Sequence, residues 1–263
     1  MPTLDLDGFE CSYEDRGSGS SILLIHGMGG STDVWGEAFD LLAQNHRVIA
    51  YDRRGFARSG GPPVADIRRH ADDAAAFLRK LDAAPATVVG WSSGGVIALD
   101  LAVRSPELIS ALVLEEPPLH AKRRPGLRQL RAVVSAQLLS RVKDDRAASE
   151  RFFRWAFRYT SGGTGFDRLP ESLRESMLAS GPANMADLRA GTGEHLKKED
   201  LEAIGCPVVC ALGELSDPAF HRATNHIANL VAHAQVKQID GAGHGMHLER
   251  PEEFVAAVRE AAS

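Results

Sequence analysis

The chain is short of cysteine, of charge excess and of long apolar runs, and each shortage removes a class of protein. Three cysteines in 263 residues, Cys11, Cys206 and Cys210, do not make a disulfide framework. Cys206 and Cys210 flank Pro207-Val208-Val209 in an apolar run, where they read as buried filler on one strand face; no partners for a metal site accompany them. A net charge of −5 gives no electrostatic basis for binding nucleic acid or an anionic membrane. The most basic stretch, Lys122 to Arg131, reads as a solvated local face. No apolar run approaches the length of a membrane span, and Met1-Pro2-Thr3-Leu4-Asp5-Leu6-Asp7 lacks the basic and apolar regions of a signal peptide, so a cytoplasmic protein is expected. What is present, 44% hydrophobic and 25% charged residues, suffices for one large domain with a buried core or one core plus an insertion.

The most informative stretch is Gly90-Trp91-Ser92-Ser93-Gly94-Gly95, set between the apolar runs 87–89 and 96–102. It reads as a strand turning sharply into a helix with Ser92 at the apex. The flanking glycines let the backbone pass close to its neighbours, and the helix start aims partial positive charge at whatever binds there. Ser92 is therefore a candidate nucleophile, against the plainer reading of a turn serine between glycines.

Short runs rich in Ile, Val and Leu at 22–25, 48–51, 87–89, 111–114, 207–212 and 236–239 read as strands covered on both faces. Helical patterns at 33–44, 66–81, 93–104, 220–231 and 252–262 alternate with them. The order predicts an α/β fold with a doubly wound, mostly parallel sheet, and an antiparallel hairpin around Asp7-Gly8 at its edge. The rhythm breaks after residue 116. Residues 117–202 show no strand pattern but helical character at 127–142, 147–159 and 171–179, interrupted by Ser161-Gly162-Gly163-Thr164-Gly165 and Gly181-Pro182. They read as a helical cap inserted in a core made of 1–116 and 203–263.

A serine nucleophile needs a base, and the base needs an orienting carboxylate. Of ten histidines, His244 stands in Asp240-Gly241-Ala242-Gly243-His244-Gly245, a mobile loop after the last predicted strand, where a doubly wound sheet presents functional groups. The loop His26-Gly27-Met28-Gly29-Gly30 follows the first buried strand, and its turn points the Met28 N–H toward a bound oxygen, joined by the Ser93 N–H. His26 itself reads as a brace for that loop.

With these residues in order, the chain resembles the α/β-hydrolase fold superfamily. The resemblance spans nearly the whole sequence through His26-Gly27-Met28-Gly29-Gly30, Asp52-Arg53-Arg54-Gly55-Phe56-Ala57-Arg58-Ser59, the Ser92 turn, His244 and Leu248-Glu249-Arg250-Pro251. Ala57 departs from it, standing where relatives often carry glycine. The resemblance implies an acid after the strand that precedes the histidine strand, which makes Asp217 the first choice. Glu116, at the end of the strand 111–114, is the alternative that some relatives use. Asp217 can also be read as a helix N-cap and Glu116 as a solvated hinge. A serine at the apex, rather than aspartate, argues against epoxide hydrolases and haloalkane dehalogenases.

Aromatic residues are few, 6%, so the five in Phe152-Phe153-Arg154-Trp155-Ala156-Phe157-Arg158-Tyr159 stand out. Phe152, Trp155 and Tyr159 share a helical stripe that either glues the cap together or lines a pocket over Ser92. Trp91 resembles the residue before the serine in some small carboxylesterases, and either packs beneath the turn or borders the pocket. The expected activity is cofactor-free and metal-free hydrolysis of a small-molecule carboxylic ester or lactone with a bulky apolar group. A carbon–carbon bond hydrolase or a perhydrolase would use the same triad, and a non-catalytic ligand sensor would keep the fold alone.

Overall fold

Eight strands form one sheet in the order β1-β2-β4-β3-β5-β6-β7-β8 in the computed structural model, which describes residues 1–121 and 125–262. Lys122, Arg123 and Arg124 of the basic stretch lie outside the described residues. The strands are β1 (Thr3–Asp5), β2 (Glu10–Arg16), β3 (Ser21–Ile25), β4 (Arg47–Tyr51), β5 (Ala86–Trp91), β6 (Ile109–Glu115), β7 (Val208–Gly213) and β8 (Ala234–Ile239). From β4 through β3 to β8 every neighbouring pair is parallel, whereas β1 and β2 form the antiparallel edge with Leu4 opposite Cys11. Asp7 and Gly8 both take positive φ, as a tight hairpin turn with right-handed strand twist requires.

Successive residues of one strand feed two different cores. In β3, Leu23 and Ile25 join the cluster beneath helices α2 and α3, while Ile22 and Leu24 join the cluster on the other face with α1 and α11. This is why these strands carry continuous aliphatic runs; each fully buried Leu or Ile contributes about 1.5–3 kcal/mol. The edge strand β8 departs from that pattern, with Gln235, Val236 and Gln238 exposed.

The helices are α1 (Gly36–Leu42), α2 (Ile67–Lys80), α3 (Ser93–Arg104), α4 (Leu127–Arg141), α5 (Asp145–Ala156), α6 (Glu171–Ala179), α7 (Gly181–Ala190), α8 (Lys198–Glu202), α9 (Pro218–Leu230), α10 (Met246–Glu249) and α11 (Pro251–Ala262). Helices α4 to α8 lie between β6 and β7. Two of them depart from the sequence expectation. Gly181-Pro182, expected as a break, begins α7, because proline in a first turn loses no hydrogen bond. The short α8 was not foreseen either. Cys206 precedes β7 and is half-buried, so it does not share a strand face with Cys210, whose thiol burial pushes up to about 12.

Candidate active site

Ser92 joins the end of the parallel strand β5 to the start of α3 with φ 53 and ψ −121, a conformation an L-residue holds only when its surroundings enforce it. They do so through packing. A Cβ on Gly94 would lie 2.1 Å from the Ile25 carbonyl oxygen, and one on Gly90 would lie 2.5 Å from that of Gly94, so α3 presses against β3 and β5 with no room for side chains. The Ser92 N–H is held by the Glu115 carbonyl at 2.8 Å. Ser93 is the first residue of α3, so its N–H has no intrahelical acceptor.

The loop after β3 passes directly beside this turn, since a Cβ on Gly27 would lie 2.9 Å from that of Ser92. His26 is buried and braces the loop. Its Nδ1–H donates to the Gly27 carbonyl at 2.7 Å, and its Nε2 accepts the Arg53 N–H at 2.9 Å. Burial and the nearby Arg53 charge hold its pKa well below the ordinary imidazole value, so it stays neutral. Met28 and Ser93 both line the cavity that Ser92 faces.

His244 Nδ1 lies 2.8 Å from Glu116 Oε2, with both side chains buried. Glu116 follows β6 with φ 47, and its other oxygen accepts the Gly213 N–H at the end of β7, 2.8 Å away. That carboxylate, rather than the first choice Asp217, is the one against the histidine. Asp217 instead caps α9, accepting the Ala219 N–H at 2.9 Å, because Pro218 starts that helix and leaves the preceding residue in N-cap position. With Nδ1–H donated to Glu116, His244 presents the lone pair of Nε2, the form needed to accept a proton.

The histidine loop is pinned rather than mobile. Trp91 donates its indole N–H to the His244 carbonyl at 2.8 Å, Glu249 accepts the Gly243 N–H, and Glu214 accepts the Gly241 N–H. Phe220, from the first turn of α9, stacks on the His244 ring at 3.8 Å between centroids. Three residues after His244, His247 Nδ1 meets both oxygens of Glu115 at 2.9 and 2.7 Å, so two consecutive carboxylates each hold their own histidine.

A cavity of about 300 Å³ adjoins Ser92, roofed by Phe152 and Trp155 of α5, Leu130 and Val133 of α4 and Leu188 of α7. Of the residues expected to contact substrate, Phe152 and Trp155 line it. Trp91 is buried beneath the turn against Phe157 and His247. Tyr159 donates to Glu249 at 2.9 Å and lines a separate cavity of about 650 Å³ that contains neither Ser92 nor His244. Phe153 and Phe157 pack in the core. Asp187 of α7, not foreseen, reaches the Ser92 cavity. It is paired with Arg53 at 3.0 and 2.9 Å and accepts the Ser93 hydroxyl at 2.6 Å. Burial alone would raise its carboxyl, but the Arg53 charge outweighs that and the carboxyl drops to about 2.

The sequence profile of the alpha/beta hydrolase family matches residues 22–257. The chain belongs to this family. As an alpha/beta hydrolase it is 42% identical over 118 residues to the uncharacterized hydrolase YraK of Bacillus subtilis, a match spanning 44% of each chain. It therefore aligns with less than half the length of that curated relative. Two solved structures cover it almost throughout. One is Est816, described as an N-acyl homoserine lactone degrading enzyme, at 25% identity and a TM-score of 0.81 over 98% of this chain and 99% of that one. The other is a thermophilic esterase from Thermogutta terrifontis, at 26% identity and 0.78 over 98% and 95%. Among the described residues of this alpha/beta hydrolase, no group of three or more His, Cys, Asp and Glu could hold a metal, and no helix is long and apolar enough to cross a membrane.

Proposed function

We propose that this alpha/beta hydrolase is a serine hydrolase of small carboxylic esters or lactones, with Ser92, His244 and Glu116 as its triad. The pairing of His244 Nδ1 with Glu116 carries the reading, because it selects the tautomer whose Nε2 takes a proton, in a loop tied to the residue before Ser92. Ser92 Oγ attacks the carbonyl carbon as His244 Nε2 takes the hydroxyl proton. The Met28 and Ser93 N–H groups hold the oxyanion, each worth about 2.7–4 kcal/mol of barrier. His244 then protonates the leaving alcohol, which in a lactone stays tethered to the acyl group. Water, deprotonated by His244, releases the acid and restores Ser92.

The cavity of about 300 Å³ stands at the small end of ligand pockets, which favours a compact apolar acyl group over the bulky one expected from sequence. The degradation of acyl homoserine lactones described for Est816 and the esterase from Thermogutta terrifontis support the ester or lactone class. A fluorophosphonate probe with wild type and Ser92→Ala, alongside aryl esters of graded chain length and a lactone panel, tests the proposal. Labelling and turnover that vanish with Ser92 are expected. An unlabelled, inactive wild type would overturn it.

A further inference from the structure

Seven large hydrophobic residues are exposed among the described residues, and four of them, Leu127, Leu130, Val134 and Leu138, lie on α4, with Val142 just beyond its end. Their spacing of three, then four, puts them in one line along the helix, and their exposure runs from 43% at Val134 to 77% at Leu127. A stripe of this kind on a helix that already packs its opposite side, through Ala132 and Ala136, into the protein is not explained by folding.

One flank of the stripe is cationic. A groove of about 290 Å³ between α4 and α5 is lined by Arg128, Arg131, Arg151, Arg154 and Arg158 around Trp155. Arg154 is paired with Glu150 and Asp167, and Arg151 with the Ser135 hydroxyl. Arg128, Arg131 and Arg158 form no ion pair among the described residues. The other flank is the Ser92 cavity, which shares Leu130 with the stripe and Trp155 with the groove. A single helix thus carries an apolar edge, an anion-seeking groove on one side and the roof of the candidate active site on the other.

We propose that α4 docks this protein on an anionic phospholipid surface, with the stripe in the acyl boundary and headgroup phosphates among the groove arginines. A second copy is a poor occupant. Helix α4 contains no Asp or Glu, so self-pairing along the stripe sets the guanidiniums of Arg131 and Arg141 against those of the copy. A partner helix would need an apolar concavity, whereas the concavity beside this convex stripe is lined by charge. A lipid surface meets both features at once, since an interfacial helix seats its apolar edge below the headgroups and its arginines at them. The net charge of −5 does not oppose this. Screening limits what an approaching surface feels to about 8–10 Å, within which it meets the arginines. That ester substrates enter from the lipid rests on the hydrolase reading; the docking does not.

The test is co-sedimentation of the full chain with vesicles of phosphatidylcholine alone and with about one third phosphatidylglycerol, run beside hydrolysis of a soluble short-chain aryl ester. Expected is association with the anionic vesicles alone, weakened by salt and reduced about thirtyfold in Arg128→Gln/Arg131→Gln at about one kcal/mol per charge. Leu138→Ser/Val142→Ser, outside the Ser92 cavity, should likewise release the protein. Both variants should keep the soluble-ester rate. Failure to bind either vesicle overturns the docking, as does binding to both vesicles alike or binding indifferent to the arginines. Capture by polyglutamate without vesicle binding overturns it in favour of an acidic protein, and a dimer dissolved by the Leu138 and Val142 changes overturns it in favour of a second copy. A protein that binds vesicles but hydrolyses no ester leaves the docking standing and overturns the hydrolase reading.

Discussion

Arg53 and Asp187 meet in a two-point ion pair although 134 residues separate them, and both side chains are shut away from solvent. One follows β4 and the other belongs to α7, so the pair ties the helices above Ser92 to the sheet. Asp187→Asn should destabilise the protein by about 3–5 kcal/mol in urea titrations, because it strands the guanidinium in a dry site. Arg53→Met/Asp187→Leu should recover most of that loss. A double variant as unstable as the single would show that the charge is not the cause.

The carboxyl of Asp187, lowered to about 2 from an ordinary 3.8, also fixes an acid limit. Its contribution is fully present above pH 3.8 and disappears as pH falls toward 2. Chemical denaturation of Asp187→Asn and wild type should therefore converge at the acid end of that window. A constant gap across it would contradict the shift.

Glu116→Gln should lower kcat on a soluble aryl ester by about 10³–10⁴-fold with little change in KM, since an amide no longer fixes the His244 tautomer. Asp217→Ala should leave kcat near wild type and cost about 0.5–2 kcal/mol of stability through the lost N-cap of α9. The reverse pattern would return the acid role to Asp217.

His26 and His70 are both held neutral, foremost by burial and then by Arg53, His26 far below its ordinary value and His70 lowered to about 4. Above pH 6.5 neither costs anything. Below it the unfolded chain takes up protons that the folded protein refuses, so stability should fall by about 1.4 kcal/mol per pH unit for each. His70→Gln should halve that slope between about pH 6 and pH 5 in urea midpoints. An unchanged slope would place the acid sensitivity elsewhere.

Phe152 roofs the Ser92 cavity while half-buried, so Phe152→Ala should enlarge the space with modest loss of stability. The preferred acyl chain of an aryl ester series should lengthen, with kcat/KM for the shortest ester falling. Tyr159→Phe, which touches the other cavity, should leave the chain-length profile as it was.

The sheet was legible because strands buried on both faces must be aliphatic throughout, and the five parallel runs from β3 to β7 are. Helix α3 follows its pattern to the residue, since a sharp turn starts it and Ser105-Pro106 ends it. Helix α7 was hidden by a Gly-Pro pair that looks alike whether it breaks a helix or begins one, and with α7 unseen, Asp187 carried no signal. The choice between Asp217 and Glu116 was likewise open. Both follow strands, and only the folded chain sets Glu116 against His244 while Asp217 caps α9. Phe220 was readable in part, as the first turn of a helix after the presumed acid loop faces the same end of the sheet.

The loop that bears His244 carries glycine at 241, 243 and 245, a composition that in a free chain would sample many shapes. Here it is fastened at its carbonyl by Trp91, at two amides by Glu249 and Glu214, and just beyond by the Glu115–His247 pair. Ordering such a segment costs about 1–2 kcal/mol per residue, and that cost is met once, when the chain folds. On the proposed triad, each encounter with a substrate would then begin from an imidazole that has no search to make.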